Sequence, residues 1–350
     1  ELVQALSWLT IPALVAPMIG PPLGGLISTY GDWRWIFLIN IPMGLLGIVL
    51  ARKYIPDLRE VVPPLDWRGF ALSGLGLALA LFGFSTLGRH LVSTSLAASC
   101  LVLGLAAMAG YVWHARRHPH PLIDLNLFRH HTFRAGVLGG ALFRIGIGAT
   151  PFLLPLMLQL GFGLTALQSG LITFASAMGA IFMKTLASRI LRRFGFRRVL
   201  WVNALLASAM LAGFGLFTAQ TPHLLIMAVL VVSGCFRSLQ FTSLNAISYA
   251  EVEPPKMGQA SSLSGMAQQF SLALGVAIGG YGLQIAGDLT GTSYTDAGNF
   301  TWAFLLVGLV SAASAWVMFR LPADAGQEMS GRAMPGQEVA EPKAAQRPGT

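Results

Sequence analysis

The stretch GPPLGGLISTYGDWRWIFLINIPMG, residues 20–44, joins two apolar runs through a short polar turn. Gly20 and Gly24 have the small-xxx-small spacing that lets two helix backbones approach closely. Pro21 and Pro22 remove amide donors, so a helix that carries them bends. Trp33 and Trp35 flank Arg34 and suit a water–lipid interface. These residues describe a kinked, glycine-faced helix, an interfacial turn and a second helix re-entering an apolar layer. Such a helix serves as a hinge or as a gasket between bundles, and ordinary helix packing uses the same residues.

The rest of the chain has the same character. Of 350 residues, 54% are hydrophobic and 11% charged, and mean hydropathy is +0.65. Soluble domains carry about 25% charged residues, so too little polar surface remains here to face water. The 40 glycines follow no triplet period and Leu, Ile, Val and Phe abound, which excludes collagen and a disordered chain. A helix needs about 20 apolar residues to cross the hydrocarbon core. Ten stretches qualify, near 5–28, 34–51, 68–88, 94–113, 134–160, 166–187, 198–218, 223–249, 257–286 and 300–319. They are too long and continuous for β-barrel strands, which alternate apolar and polar residues. The fold class is therefore an all-α polytopic membrane protein, with both ends of the chain on one side.

Lys and Arg set the orientation. With the ends inside, the inner segments hold Arg52, Lys53, Arg59 and Arg68, then Arg116, Arg117, Arg129 and Arg134. They also hold Arg189, Arg192, Arg193, Arg197 and Arg198, then Lys256, and finally Arg320, Arg332, Lys343 and Arg347. The outer segments hold Arg34 and Arg89 alone. This asymmetry accounts for the net charge of +9 without a nucleic-acid partner. Connections at 161–165, 188–197 and 219–222 are short enough to join antiparallel neighbours. Two longer inner loops, 52–67 and 114–133, bracket the third and fourth spans as a separable pair. The tail from 321 to 350 is rich in Pro, Gly, Gln and Glu and has the composition of a disordered segment.

With these residues quoted, the chain resembles the fourteen-helix drug:proton antiporter branch (DHA2) of the major facilitator superfamily. The string GPPLGG with WRWIFLINIPMG is similar to that family's fifth and sixth helices. Gly20, Pro21, Pro22, Gly24 and Gly25 then fall on its antiporter motif, and Asp32, Trp33, Arg34, Asn40 and Pro42 on the interface turn that follows. LDWRGF at 65–70 resembles the start of the family's inserted helix pair, and PLIDL with LFR at 121–129 the loop before its ninth helix. The basic loop SRILRRFGFRR, 188–198, is similar to the second copy of the superfamily's cytoplasmic loop motif through Arg193, Gly195, Arg197 and Arg198. It departs at Ser188, where Gly is usual, and at Arg192, where Asp is usual.

The resemblance covers about 1–320 and implies a domain plan. Residues 1–52 would be the last two helices of an N-terminal bundle, and 53–133 the cytoplasmic loops around an inserted helix pair. Residues 134–320 would be a C-terminal six-helix bundle, followed by the 321–350 tail. Ten spans of an expected fourteen imply four further helices in front. Glu1 in place of Met, with no signal-peptide pattern, fits a fragment. The implied activity is proton-coupled efflux of drug-like or amphipathic small molecules by alternating access in the bacterial inner membrane. A periplasmic adaptor and an outer-membrane channel stay open as partners. A metabolite uniporter or symporter on the same fold is the alternative, and a membrane scaffold or enzyme a more distant one.

Polar groups inside the spans are the site candidates, because a charge in a bilayer is costly and needs a reason. Arg144 and Arg237 each sit mid-span, where they bind an anionic group, partner a carboxylate, or pair with backbone carbonyls. Gln240 follows Arg237 on one helical face, with Thr242, Ser243 and Asn245 nearby. Gln159 follows Pro151 and Pro155, so its helix bends there, and Gln268 and Gln269 add amides to the ninth span. Each amide either meets cargo or bonds helix to helix. Lys184, one turn from the inner end, snorkels.

None of the 14 Asp and Glu is mid-span. No proton carrier is therefore assigned; the resemblance places it in the preceding helices, and Glu251 and Glu253 are fallbacks. No nucleophile set, HExxH pair or phosphate loop marks an enzyme or an ATP-driven pump, and no cofactor is expected. Five of the seven histidines crowd 114–131. His118 and His120 have ligand spacing, but only Asp124 stands near to complete a set, so no metal site is assigned. Cys100 and Cys235 lie in apolar runs and form no disulfide framework.

Overall fold

The structure is a computed structural model that describes residues 20, 22–54, 65–86, 92–119, 121–322 and 325–326. Among them are ten helical segments and no strand. They are α1 (22–30), α2 (Trp35–Tyr54), α3 (Trp67–Thr86), α4 (Thr94–Ala115), α5 (His131–Leu156), α6 (Ala166–Phe194), α7 (Phe196–Gly213), α8 (His223–Ser248), α9 (Met257–Thr290) and α10 (Ala297–Phe319). Nine, α2 to α10, have the length and apolarity to cross a membrane. The expected first span, 5–28, lies largely outside the described residues; its end forms α1. The tail from 327 also lies outside them.

Apolar composition marks where lipid ends, whereas a helix continues as long as its backbone bonds do. α9 has 34 residues, a length of about 51 Å at 1.5 Å per residue, against about 30 Å of hydrocarbon. It is therefore longer than the hydrocarbon layer is thick. At 188–197 the structure replaces the expected ten-residue loop by continuous helix. α6 runs to Phe194, and a single residue, Gly195, turns the chain into α7. Gly195 has φ +79° and ψ 158°, a conformation open almost only to glycine.

α5 to α10 form one bundle in which α6 packs on α8, α5 on α9, and α7 on α10. Glycines set these distances. A Cβ built on Gly179 of α6 would strike the Val231 carbonyl of α8, and one on Gly234 of α8 would strike the Ser176 carbonyl of α6. Gly148 of α5 and Gly275 of α9 face each other's helices in the same reciprocal way. Gly279 sits against Leu153, where a Cβ would lie 3.2 Å from the side chain. Where α7 ends and α10 begins the core holds Phe214, Phe300 and Phe304, with Phe214 and Phe304 edge to face at 5.8 Å.

α3 and α4 form a hairpin that leans on α9, where the Tyr281 hydroxyl donates to the Phe84 carbonyl at 2.9 Å. The junction where α3 begins and α4 ends is built on Asp66, only 7% exposed. Its Oδ1 accepts from the Gly69 amide at 2.8 Å, and His114 Nε2 lies 2.9 and 3.0 Å from the two carboxylate oxygens. Burial opposes ionisation of Asp66, but the Gly69 amide, the His114 ring and the Leu122 amide prevail and hold its pKa below the usual aspartate value. By contrast, none of the residues of α2 is buried. Such an apolar surface is ordinary in a bilayer and untenable in water.

Candidate functional site

α5 carries glycines on the face it turns to its neighbours, and Arg144 lies on that face. It is about 20 Å along the helix from its N-terminal end at 1.5 Å per residue, near mid-depth. Gly140, one turn earlier, makes room for it, since a Cβ there would lie 2.7 Å from the guanidinium Nη1. Arg144 is completely buried. Its Nη2 donates to Asn245 Oδ1 of α8 at 3.2 Å, and the guanidinium stands 5.7 Å from the centre of the Phe241 ring. Nε and Nη1 have no partner among the described residues. A buried charge with one neutral acceptor retains most of its desolvation penalty, of order several kcal/mol.

Arg237 lies on α8, also about 20 Å from that helix's end. It is half-buried and makes no hydrogen bond or ion pair among the described residues. It lines a cavity between α5, α6, α7, α8 and α10 together with Thr150, Ser176, Ser233 and Ser311. At about 40 Å³ this cavity admits a few waters. Drug-sized pockets run to roughly 300–1,000 Å³, so the helices here leave room for water but not for a ligand of that size.

The other amides divide between roles. Gln240 is fully buried and turned toward α7. Its Oε1 accepts from Asn203 Nδ2 at 2.8 Å, and its Nε2 donates to the Leu200 carbonyl at 3.1 Å. Asn203 also donates to the Phe236 carbonyl at 2.8 Å. Gln240 thus binds helix to helix although it shares a stripe with Arg237. Asn203 was not among the expected site residues; a lone amide in the apolar run VLWVNALLASA was the available signal. Gln159 lies in a wide π turn, Met157–Gly161, directly after Pro151 and Pro155. Gln268 is half-buried on α9. Neither makes a hydrogen bond among the described residues.

The motif residues occupy the two faces. Pro21 lies outside the described residues. Gly20 and Gly24 have nothing described within 4 Å of a built Cβ; the close approach falls on Gly25, whose Cβ would lie 2.7 Å from the Ala166 carbonyl at the start of α6. Asp32 and Arg34 form an exposed ion pair at 2.9 Å, with Arg34 over the Trp33 ring. Asn40 donates to the Ile36 carbonyl at 3.1 Å, and Pro42 follows two residues on in α2. At the other face Arg197 Nε donates to the Phe319 carbonyl at 3.1 Å, where a cation complements the negative end of α10. Arg193, Gly195 and Arg198 rim the cleft beside it. Lys184 is exposed. Glu251 accepts a long bond, 3.4 Å, from the Thr132 amide at the start of α5 and is solvated. Asp288 is an acid inside a described span, in the last turn of α9.

A bundle of membrane-length helices with glycine seams and a small cavity beside Arg237 at mid-depth has the form of a polytopic carrier. The sequence pattern of the Major Facilitator Superfamily matches residues 136–345. The chain is 32% identical over 332 residues to the putative multidrug resistance protein MdtD of Yersinia enterocolitica, covering 93% of this chain and 70% of that protein. It is 33% identical over 331 residues to MdtD of Serratia proteamaculans, covering 93% and 68%. It is 31% identical over 335 residues to the probable transport protein HsrA of Haemophilus influenzae, covering 96% and 72%. The chain belongs to the Major Facilitator Superfamily and is a multi-pass membrane transporter.

Proposed function

We propose that this transporter exports drug-like or amphipathic molecules across the cell inner membrane in exchange for protons. Its similarity to multidrug resistance proteins supports the cargo class. The observation that carries the site is Arg144 with two open N–H groups, on the helix that also walls the Arg237 cavity. In an open state, Arg144 and Arg237 hold an anionic or strongly accepting group of the cargo, with Asn245, Gln159 and Gln268 as neutral partners. Gln240 acts instead as a structural bond. Because the closed cavity is too small for cargo, access requires the two bundles to separate alternately on each side.

Gly20, Pro21, Pro22, Gly24 and Gly25 serve as the flexible seal at the α6 face, and the Asp32–Arg34 turn with Asn40 and Pro42 anchors it at the outer interface. Arg193, Gly195, Arg197 and Arg198 latch the inner ends of α6, α7 and α10. The distribution of Lys and Arg supports a cytoplasmic placement of both ends of this chain. A periplasmic adaptor and outer-membrane channel would complete export through two membranes.

The test is proton flux in inside-out vesicles carrying an imposed pH gradient. Addition of cargo is expected to release protons from the vesicle interior and to accumulate cargo inside. Cargo movement indifferent to the gradient overturns antiport and favours the uniporter alternative.

A further inference from the structure

We propose that Asp66, His114 and His118 form a binding site for a borderline divalent cation of the Zn²⁺ class at the inner end of the α3–α4 hairpin. One carboxylate oxygen and one nitrogen from each of the two imidazoles lie within 4.8 Å of one another. His114 and His118 are four residues apart, His114 in the last turn of α4 and His118 just past it, so both rings face one side. Their centroids are 5.1 Å apart with planes inclined by 34°. Asp66 comes from 48 residues earlier and closes the set from the start of α3. A tetrahedral ion with bonds of about 2.0–2.1 Å spaces its donors about 3.4 Å apart. The Asp66–His114 separations of 2.9 and 3.0 Å need only widen slightly, and His118 need only swing inward.

The support around these donors is that of a held ligand set. Gly69 and Leu122 amides bond the Asp66 carboxylate, leaving a lone pair for an ion. Gly69 must lack a side chain, because a Cβ there would overlap that carboxylate. The Tyr111 hydroxyl accepts from the Ile123 amide at 2.9 Å and donates to the Ile123 carbonyl at 3.3 Å, which fixes the adjoining loop. Outer-shell bonds of this kind orient metal ligands and favour binding. His118 also lines a groove with Arg116, Asp124, Lys256 and Gln259, which is the approach for an ion from the inner side. Two imidazoles and one carboxylate select Zn²⁺, Co²⁺ or Ni²⁺ over Mg²⁺, which prefers oxygen. Three protein donors leave a fourth position for water. In the sequence His118 and His120 have ligand spacing but no metal site is assigned there; the structure groups His118 with Asp66 and His114 instead, and His120 lies outside the described residues.

The experiment uses the whole chain without a polyhistidine tag, in phospholipid nanodiscs, stripped with chelator and titrated with Zn²⁺ by calorimetry, with Co²⁺ followed by visible absorption. One Zn²⁺ per chain, a raised melting temperature, a tetrahedral Co²⁺ spectrum and no response to Mg²⁺ are expected. His118→Ala, which leaves the Asp66–His114 pair intact, should weaken Zn²⁺ binding by more than about tenfold and abolish the Co²⁺ spectrum, as should Asp66→Asn. Absence of stoichiometric binding overturns the proposal, leaving Asp66–His114 as a helix-pinning ion pair. Binding that His118→Ala does not change overturns it equally.

Discussion

Two arginines at similar depth are in different situations, and the difference decides what each substitution does. Arg144 is sealed and bonded to Asn245, whereas Arg237 borders a cavity with no partner among the described residues. Replacing Arg237 removes a desolvated charge without breaking a contact. Arg237→Ala should therefore reduce cargo transport far more than the amount of protein in the membrane, measured by uptake into inside-out vesicles against quantitative blotting; equal losses would assign it to folding. Gln240 is the counter-case. Its two bonds to α7 are of a kind worth about 0.6 kcal/mol each within membranes and at most about 1.7. Gln240→Leu should lower stability by about 1–2 kcal/mol in a detergent-unfolding assay and leave transport per folded molecule near wild type. The stripe of Arg237 and Gln240 was visible in the sequence. Which member lines a cavity and which binds a neighbouring helix was not, because helical periodicity gives an angle and not the neighbour at that angle.

Among the elements, the α6–α8 seam carries the closest backbone approach, and Gly179 and Gly234 permit it. Without a hydrophobic drive between helices in lipid, such contact is what holds them. Gly234→Leu should push the seam open and destabilise the protein by about 1–3 kcal/mol or more, read as a lower melting temperature and loss of monodisperse protein on gel filtration. Gly195→Ala tests the turn between α6 and α7. Its φ of +79° makes a side chain there unfavourable by about 1–3 kcal/mol. The expected result is a lower melting temperature with the helix content by circular dichroism unchanged. GxxxG spacing pointed to Gly20 and Gly24, yet the described contact is at Gly25. A spacing rule identifies a helix face only to within one neighbouring residue.

For the whole molecule, the central quantity is the match between ten apolar runs and one bilayer. Reporter fusions at Lys53 and at Gly195 should both give cytoplasmic signals, and a fusion in the 219–222 turn a periplasmic one. Opposite signals from the first two would overturn the topology. α2, with no buried residue, meets lipid or other helices along its whole length. The α3–α4 hairpin touches the bundle through α9, and Asp66 ties the start of α3 to His114 in the last turn of α4.

Membrane class and the positions of the described spans were legible in the sequence itself, because bilayer thickness acts on each segment locally. Residues 188–197 show the limit even there, since polar composition signalled a loop where the backbone stays helical to Phe194. Only tertiary structure brought Asn245 to Arg144, Asn203 to Gln240 and Asp66 to His114 and His118. Those partners are separated by 37 to 101 residues where the bonds are direct. Hydrogen bonds and ligand sets act over about 3 Å, and separation along the chain carries no information at that range until the helices have packed.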